Sequence, residues 1–192
     1  MPEDPVDHIN FTELKERAVS QPLVKHIYTA DPSAHVFGGR IYIYPSHDVE
    51  NDIPFDDLGS HFDMQDYHVI SMDSPDAKAI EHGVALHIKD VPWAEKQMWA
   101  PDAAEKNGTF YLYFPAKAHD GIFRIGVATS SSPTGPFTPQ PDAIKGSFSI
   151  DPAVFKDDNG HYYMYFGGIW GGQLQRWRKG TFMADGVGPL VY

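Results

Sequence analysis

Apolar and polar residues alternate over short stretches of the chain, most clearly at residues 40–44 (RIYIY), 109–114 (TFYLYF) and 161–166 (HYYMYF). A period of two sends successive side chains to opposite faces of a strand, and Tyr, Phe and Ile pack well on a pleated surface. Each stretch therefore predicts a β-strand. Gly38-Gly39, Asn107-Gly108 and Asn159-Gly160 stand just ahead of them, and such dipeptides accept the positive φ of two-residue hairpin turns. An aspartate (Asp31, Asp102 or Asp151) opens the other arm of each hairpin. Further strands are predicted at residues 66–73, 82–88, 123–130 and 172–177, with a turn ending at Phe137 after the third of these. Only NFTELKERAVS has helical character, with Asn10 or Thr12 as its cap. It predicts a lead-in over residues 1–22, ahead of a β domain over 23–192.

The three hairpins form an internal repeat, over residues 30–48, 100–117 and 150–168. Asp102 lies 71 positions after Asp31, and Asp151 lies 49 after Asp102. That spacing suits units of three or four antiparallel strands with one long loop, the size of a propeller blade. A β-sandwich also uses hairpins at regular intervals. The recurring acid favours the propeller, whose first strands line a central channel, because a sandwich gives no reason to repeat it. The expected fold class is all-β, a β-propeller with about three blades in this chain.

Composition narrows the function classes. Hydrophobic residues make up 42% of the chain, enough for a core, and the 16 Pro and 17 Gly are spread out as turns between strands would need. The net charge is −11, with no Lys/Arg-rich run to neutralise phosphates, which argues against nucleic acid as a partner and is compatible with a neutral sugar. Without cysteine, disulfides and thiolate metal sites are excluded. No basic segment followed by an apolar one opens the chain and no run approaches a membrane span, so the expected location is cytoplasmic, away from a membrane.

Asp31 and Asp151 are the candidate catalytic pair. Each precedes a proline, which should hold it extended at the start of an innermost strand, with its carboxylate at the channel mouth. Glycoside cleavage needs two carboxyl groups on rigid elements around a sugar-sized hole. Asp-Pro is also a common turn starter, but its recurrence at matching repeat positions favours chemistry. Asp102, in WAPD, is read as the equivalent residue of the second unit, in a supporting or substrate-binding role. Trp99 and Trp170 are expected to offer ring faces to a sugar, whereas Phe37, Phe114 and Phe166 are read as core. Arg124, and with it Lys117, could hydrogen-bond a sugar hydroxyl or orient a carboxylate. His47, His68, His87, His119 and His161 have no metal-ligand spacing, so no metal site is expected. P-loop, nucleophile-elbow and dinucleotide-binding motifs are absent.

Together ADPSAHVFGGRIYIYPSHD, DYHVISMDSPD, WAPDAAEKNGTFYLYFPAK, FRIGVATSSSPTGPF and SIDPAVFKDDNGHYYMYF resemble the first three blades of glycoside hydrolase family 43. The resemblance covers residues 23–177. Members are five-bladed propellers, largely β-xylosidases, α-arabinofuranosidases and arabinanases. It implies an inverting glycosidase acting on arabinose- or xylose-containing glycans such as xylan, with Asp31 as general base and Asp151 as the carboxylate that raises the pKa of the acid and orients it. The family's general acid is a Glu on the fourth blade, expected beyond Tyr192. Glu81, Glu95 and Glu105 match nothing in its motif. By this reading the chain is an incomplete or split form, and a second chain or a homo-oligomer would cover the edge of the third unit. A non-catalytic carbohydrate-binding propeller is the alternative, and a protein-binding scaffold a third reading. Part of the family holds calcium in the channel, at ligands expected beyond Tyr192, so no cofactor is expected of these residues.

Overall fold

The computed structural model describes residues 10–56 and 59–167. A short helix, α1 (Phe11–Arg17), leads in, and of the two candidate caps it uses Asn10, whose Oδ1 accepts the Glu13 N–H at 3.1 Å. Three antiparallel sheets follow. The first runs β1 (Tyr28–Phe37), β2 (Arg40–Asp48), β3 (Asp66–Met72) and β4 (Ile80–His87), each bonded to the next. In the second, β5 (Ala94–Lys96) and β6 (Asp102–Lys106) pair one side of β7 (Thr109–Ala118), and β8 (Phe123–Ser130) and then β9 (Thr138–Pro139) follow on the other. The third pairs β10 (Ala153–Lys156) with β11 (Tyr162–Tyr165). β6 packs between β1 and β10, so the first strands of the hairpins stand side by side, as in successive propeller blades. No helix among the described residues is long and apolar enough to cross a membrane.

The core lies between the first two sheets, where Tyr44, Tyr67, Val69, Leu86, Leu112 and Phe114 are buried together. Burying Tyr requires a partner for its hydroxyl. Tyr44 donates to the Pro133 carbonyl at 2.7 Å and Tyr67 to that of Trp99 at 2.5 Å. Gly126 is required by close approach, because a Cβ there would lie 2.5 Å from Phe114 Cζ and 2.6 Å from Trp93 Cζ2.

Strand register corrects two expectations. The first two hairpins close with the pairs Phe37↔Arg40 and Lys106↔Thr109 around the predicted two-residue turns. The third closes with Lys156↔Tyr162, leaving residues 157–161 as a wider loop. Asp157 holds it open, its Oδ1 accepting from the N–H groups of Asn159 (2.9 Å) and His161 (3.3 Å). Such local capture competes with a tight turn at Asn-Gly. The second correction concerns the repeat. Ser33 pairs Tyr44, Asp102 pairs Tyr113 and Ala153 pairs Tyr165, so the counterpart of Asp31 and Asp151 is Ala100. Asp102 stands two residues further along, with Pro101 before it rather than after. The expected strand at 172–177 and Trp170 lie outside the described residues.

Candidate active site

A cleft of about 210 Å³ opens where the three sheets meet. Asp31, Asp48 and Asp151 supply three carboxylates to it, Phe62, Met64 and Trp99 are among its walls, and Ala100, the counterpart of Asp31 and Asp151 in the second unit, lines it too.

Local backbone structure aims the two predicted acids. Pairing along β1 slips between Ala30 and Ser33, a bulge with Asp31 inside it. Asp31 has φ 47° and Asp151, just ahead of β10, φ 54°. Both are left-handed, which overturns the expectation that the following proline would hold them extended. A bulge turns its extra residue out of the ladder, and Asp tolerates the left-handed region better than most residues, at about 1 kcal/mol. Burial, and then the negative charge of Asp31, push the carboxyl of Asp151 above its ordinary range. The same causes in the same order raise Asp48, with His47 partly offsetting them. Asp48 escaped the sequence reading, although its place at the end of β2, beside the arm that carries Asp31, was a usable signal. Its Oδ1 is buried without a hydrogen-bond partner among the described residues.

Trp99 reaches the cleft, held by a 2.7 Å hydrogen bond from its Nε1 to the Phe62 carbonyl and by ring contact with Phe123 at 4.5 Å. Asp102 is buried away from the cleft lining, with both oxygens occupied. Oδ1 accepts from Ser33 Oγ, from His35 Nε2 at 2.6 Å and from the Ala103 N–H at 2.8 Å, and Oδ2 accepts the Val154 N–H. One carboxylate thereby ties β1, β6 and β10 together. Burial alone would raise its pKa, but the hydrogen bonds from His35, Ser33 and Val154 outweigh it and hold the group below the ordinary carboxylate range. Arg124 does not reach the cleft either. Its guanidinium forms a two-pronged pair with Asp120, both contacts 2.7 Å, and lies over Phe148 on the rim of another cavity. Glutamate is absent from the cleft lining among the described residues.

The histidines, which sequence spacing left scattered, do not all stay apart. His47, Asp66 and His68 converge, with one ligand-type atom from each within 4.8 Å of the others. Calcium takes six to eight oxygen ligands, and a set with two imidazoles does not fit it.

The family model described as Glycosyl hydrolases family 43 matches residues 21–185. A xylosidase/arabinosidase 43A of Humicola insolens is 63% identical over 172 residues, covering 88% of this chain and 53% of that protein. A xylosidase/arabinosidase of Bacteroides ovatus is 52% identical over 168 residues, covering 87% and 52%. Among solved structures, CoXyl43, a GH43 β-xylosidase/α-arabinofuranosidase from a compost microbial metagenome in complex with xylotriose, superposes with a TM-score of 0.83 at 67% identity, covering 86% of this chain and 50% of that one. The GH43_1 enzyme from Xanthomonas citri complexed with xylotriose gives 0.82 at 54% identity, covering 94% and 52%. The chain thus spans about half the length of the curated relatives it matches.

Proposed function

The chain belongs to glycosyl hydrolase family 43, and on that footing we propose that it carries the base side of a catalytic centre that cleaves xylose- or arabinose-containing glycans with inversion. The observation that carries this reading is the convergence of Asp31 and Asp151 on one cleft in one left-handed conformation. Backbone strain held at two acids of matching repeat position is costly unless the carboxylates are needed where it puts them. Asp31, exposed at the cleft, takes the proton from a water attacking the anomeric carbon. Asp151 acts on the general acid: its charge opposes loss of the acid's proton, so the acid stays protonated until the leaving oxygen receives it. Trp99 supplies an apolar wall against the sugar. We place the general acid outside the described residues, since none of their glutamates lines the cleft.

The test is release of 4-nitrophenol from its β-xyloside and α-L-arabinofuranoside, by the chain alone and by the same chain extended to the length of its relatives. The extended protein should hydrolyse at least one substrate, and Asp31→Asn should lower its rate by about 10² to 10⁴. Full activity in Asp31→Asn would overturn the assignment. Glycan binding that survives Asp31→Asn, with no turnover in the parent, would favour a carbohydrate-binding module.

A further inference from the structure

We propose that His47, Asp66 and His68 form a binding site for a divalent transition-metal ion of the zinc class on the first sheet. Strand pairing builds it. Ser46 pairs Tyr67 in the antiparallel β2/β3 ladder, which sets His47 opposite Asp66. His68, two residues on from Asp66, shares its face. His47 Nδ1 lies 2.6 Å from Asp66 Oδ1 and His68 Nε2 lies 3.5 Å from the same oxygen. The two imidazole centroids are 4.6 Å apart. Ligands of a tetrahedral zinc, bonded at about 2.0–2.1 Å, stand about 3.3 Å from one another, so small side-chain adjustments admit the ion.

A second observation points the same way. His68 Nδ1 faces Glu81 Oε1 at 2.6 Å, and Glu81 is fixed in turn by the Gly83 N–H at 2.5 Å. A carboxylate on the far ring nitrogen is the usual support of a metal-bound histidine, because it sets the tautomer and leaves the other nitrogen bare. With Nδ1 engaged by Glu81, Nε2 is the ring nitrogen left facing Asp66 Oδ1, 3.5 Å away, and an ion seated there would be held by both. On binding, the proton on His47 Nδ1 moves to Nε2 or to solvent, and the freed lone pair takes the metal. Two imidazoles with one carboxylate suit zinc, cobalt, nickel or copper rather than calcium or magnesium. The three side chains are 17, 16 and 11% exposed, so water can fill a fourth position. The ion would clamp β2 to β3 one residue from Asp48, a wall of the cleft.

The test is calorimetric titration of the untagged, metal-stripped full chain with zinc chloride, together with Co²⁺ absorption spectra. We expect one saturable site, a tetrahedral cobalt spectrum, and a Tm raised by about 5–10 °C at a hundredfold excess over Kd. Glu81→Gln should weaken binding by about 10- to 100-fold. His47→Ala and the isosteric Asp66→Asn should abolish it, and His119→Ala, an exposed histidine elsewhere, should not. The isosteric variant keeps the test sound should His47→Ala fail to fold. Absence of saturable binding, or equal binding by His47→Ala and Asp66→Asn, would overturn the proposal.

Discussion

Asp31 and Asp151 share a backbone conformation that few non-glycine residues adopt, φ 47° and 54°, each directly before a proline, and both open onto one cleft. Backbone and carboxylate can be separated by substitution. Asn tolerates the left-handed region as Asp does, so Asp31→Asn should keep its melting temperature within a degree or two while activity of the extended protein collapses. Asp31→Val, β-branched and intolerant of that φ, should lose about 1–2 kcal/mol of stability as well. Equal thermal melts for the two variants would show that the left-handed turn carries no strain.

The charge of Asp31 also sets the titration of its neighbours. Asp151 is raised first by burial and then by Asp31. A carboxyl raised in the folded state favours folding most below its unfolded value near 3.9, and that contribution is lost as pH rises through the folded value. Asp31→Asn removes the second cause. Carboxyl-detected NMR should then show Asp151 and Asp48 titrating at lower pH, with a smaller fall in stability across that window. Unchanged titrations would mean the two groups do not sense Asp31.

Asp102 behaves in the opposite sense. Its carboxyl is held low by His35, Ser33 and Val154, so its stabilisation is complete above the unfolded value near 3.9 and disappears as pH falls through the folded one. Asp102→Ala takes the acceptor from four donors, two of them buried backbone N–H groups, and should cost about 3 kcal/mol at neutral pH, and less in acid. Chemical denaturation at pH 7 and pH 3 measures the difference.

Gly126 makes a steric prediction. With Phe114 and Trp93 stacked 16° from parallel across it, Gly126→Ala should destabilise by about 1–3 kcal/mol through overpacking. Adding Phe114→Leu, which removes the atoms nearest the new methyl, should recover part of the loss in a double-mutant cycle.

Local chemistry was legible in the sequence where local chemistry decides. The turns at Gly38-Gly39 and Asn107-Gly108 and the bounds of β8 follow from alternation and positive-φ dipeptides. What failed were choices between equally local signals. Asn159-Gly160 lost to the carboxylate of Asp157, and Asp102 resembled its neighbours in the repeat until pairing with Tyr113 set it beside Ser33 and Ala153. The Asp31 and Asp151 positions could be found because proline marks both. Asp48 and the His47–Asp66–His68 group depend on the register of β2 against β1 and β3. Nothing within a short window of residues encodes which side chains a ladder brings face to face.

The carboxylate of Asp102 also imposes an order on the chain's birth. Ser33 and His35 are already made when it leaves the ribosome, but the Val154 amide follows 52 residues later. At about 5–20 residues per second, that is a wait of roughly 3 to 10 s. During it the first two sheets can close on each other through Asp102 Oδ1, while Oδ2 stays open to whatever donor arrives. The hairpin of β10 and β11 is then received by a groove that already holds its anchor.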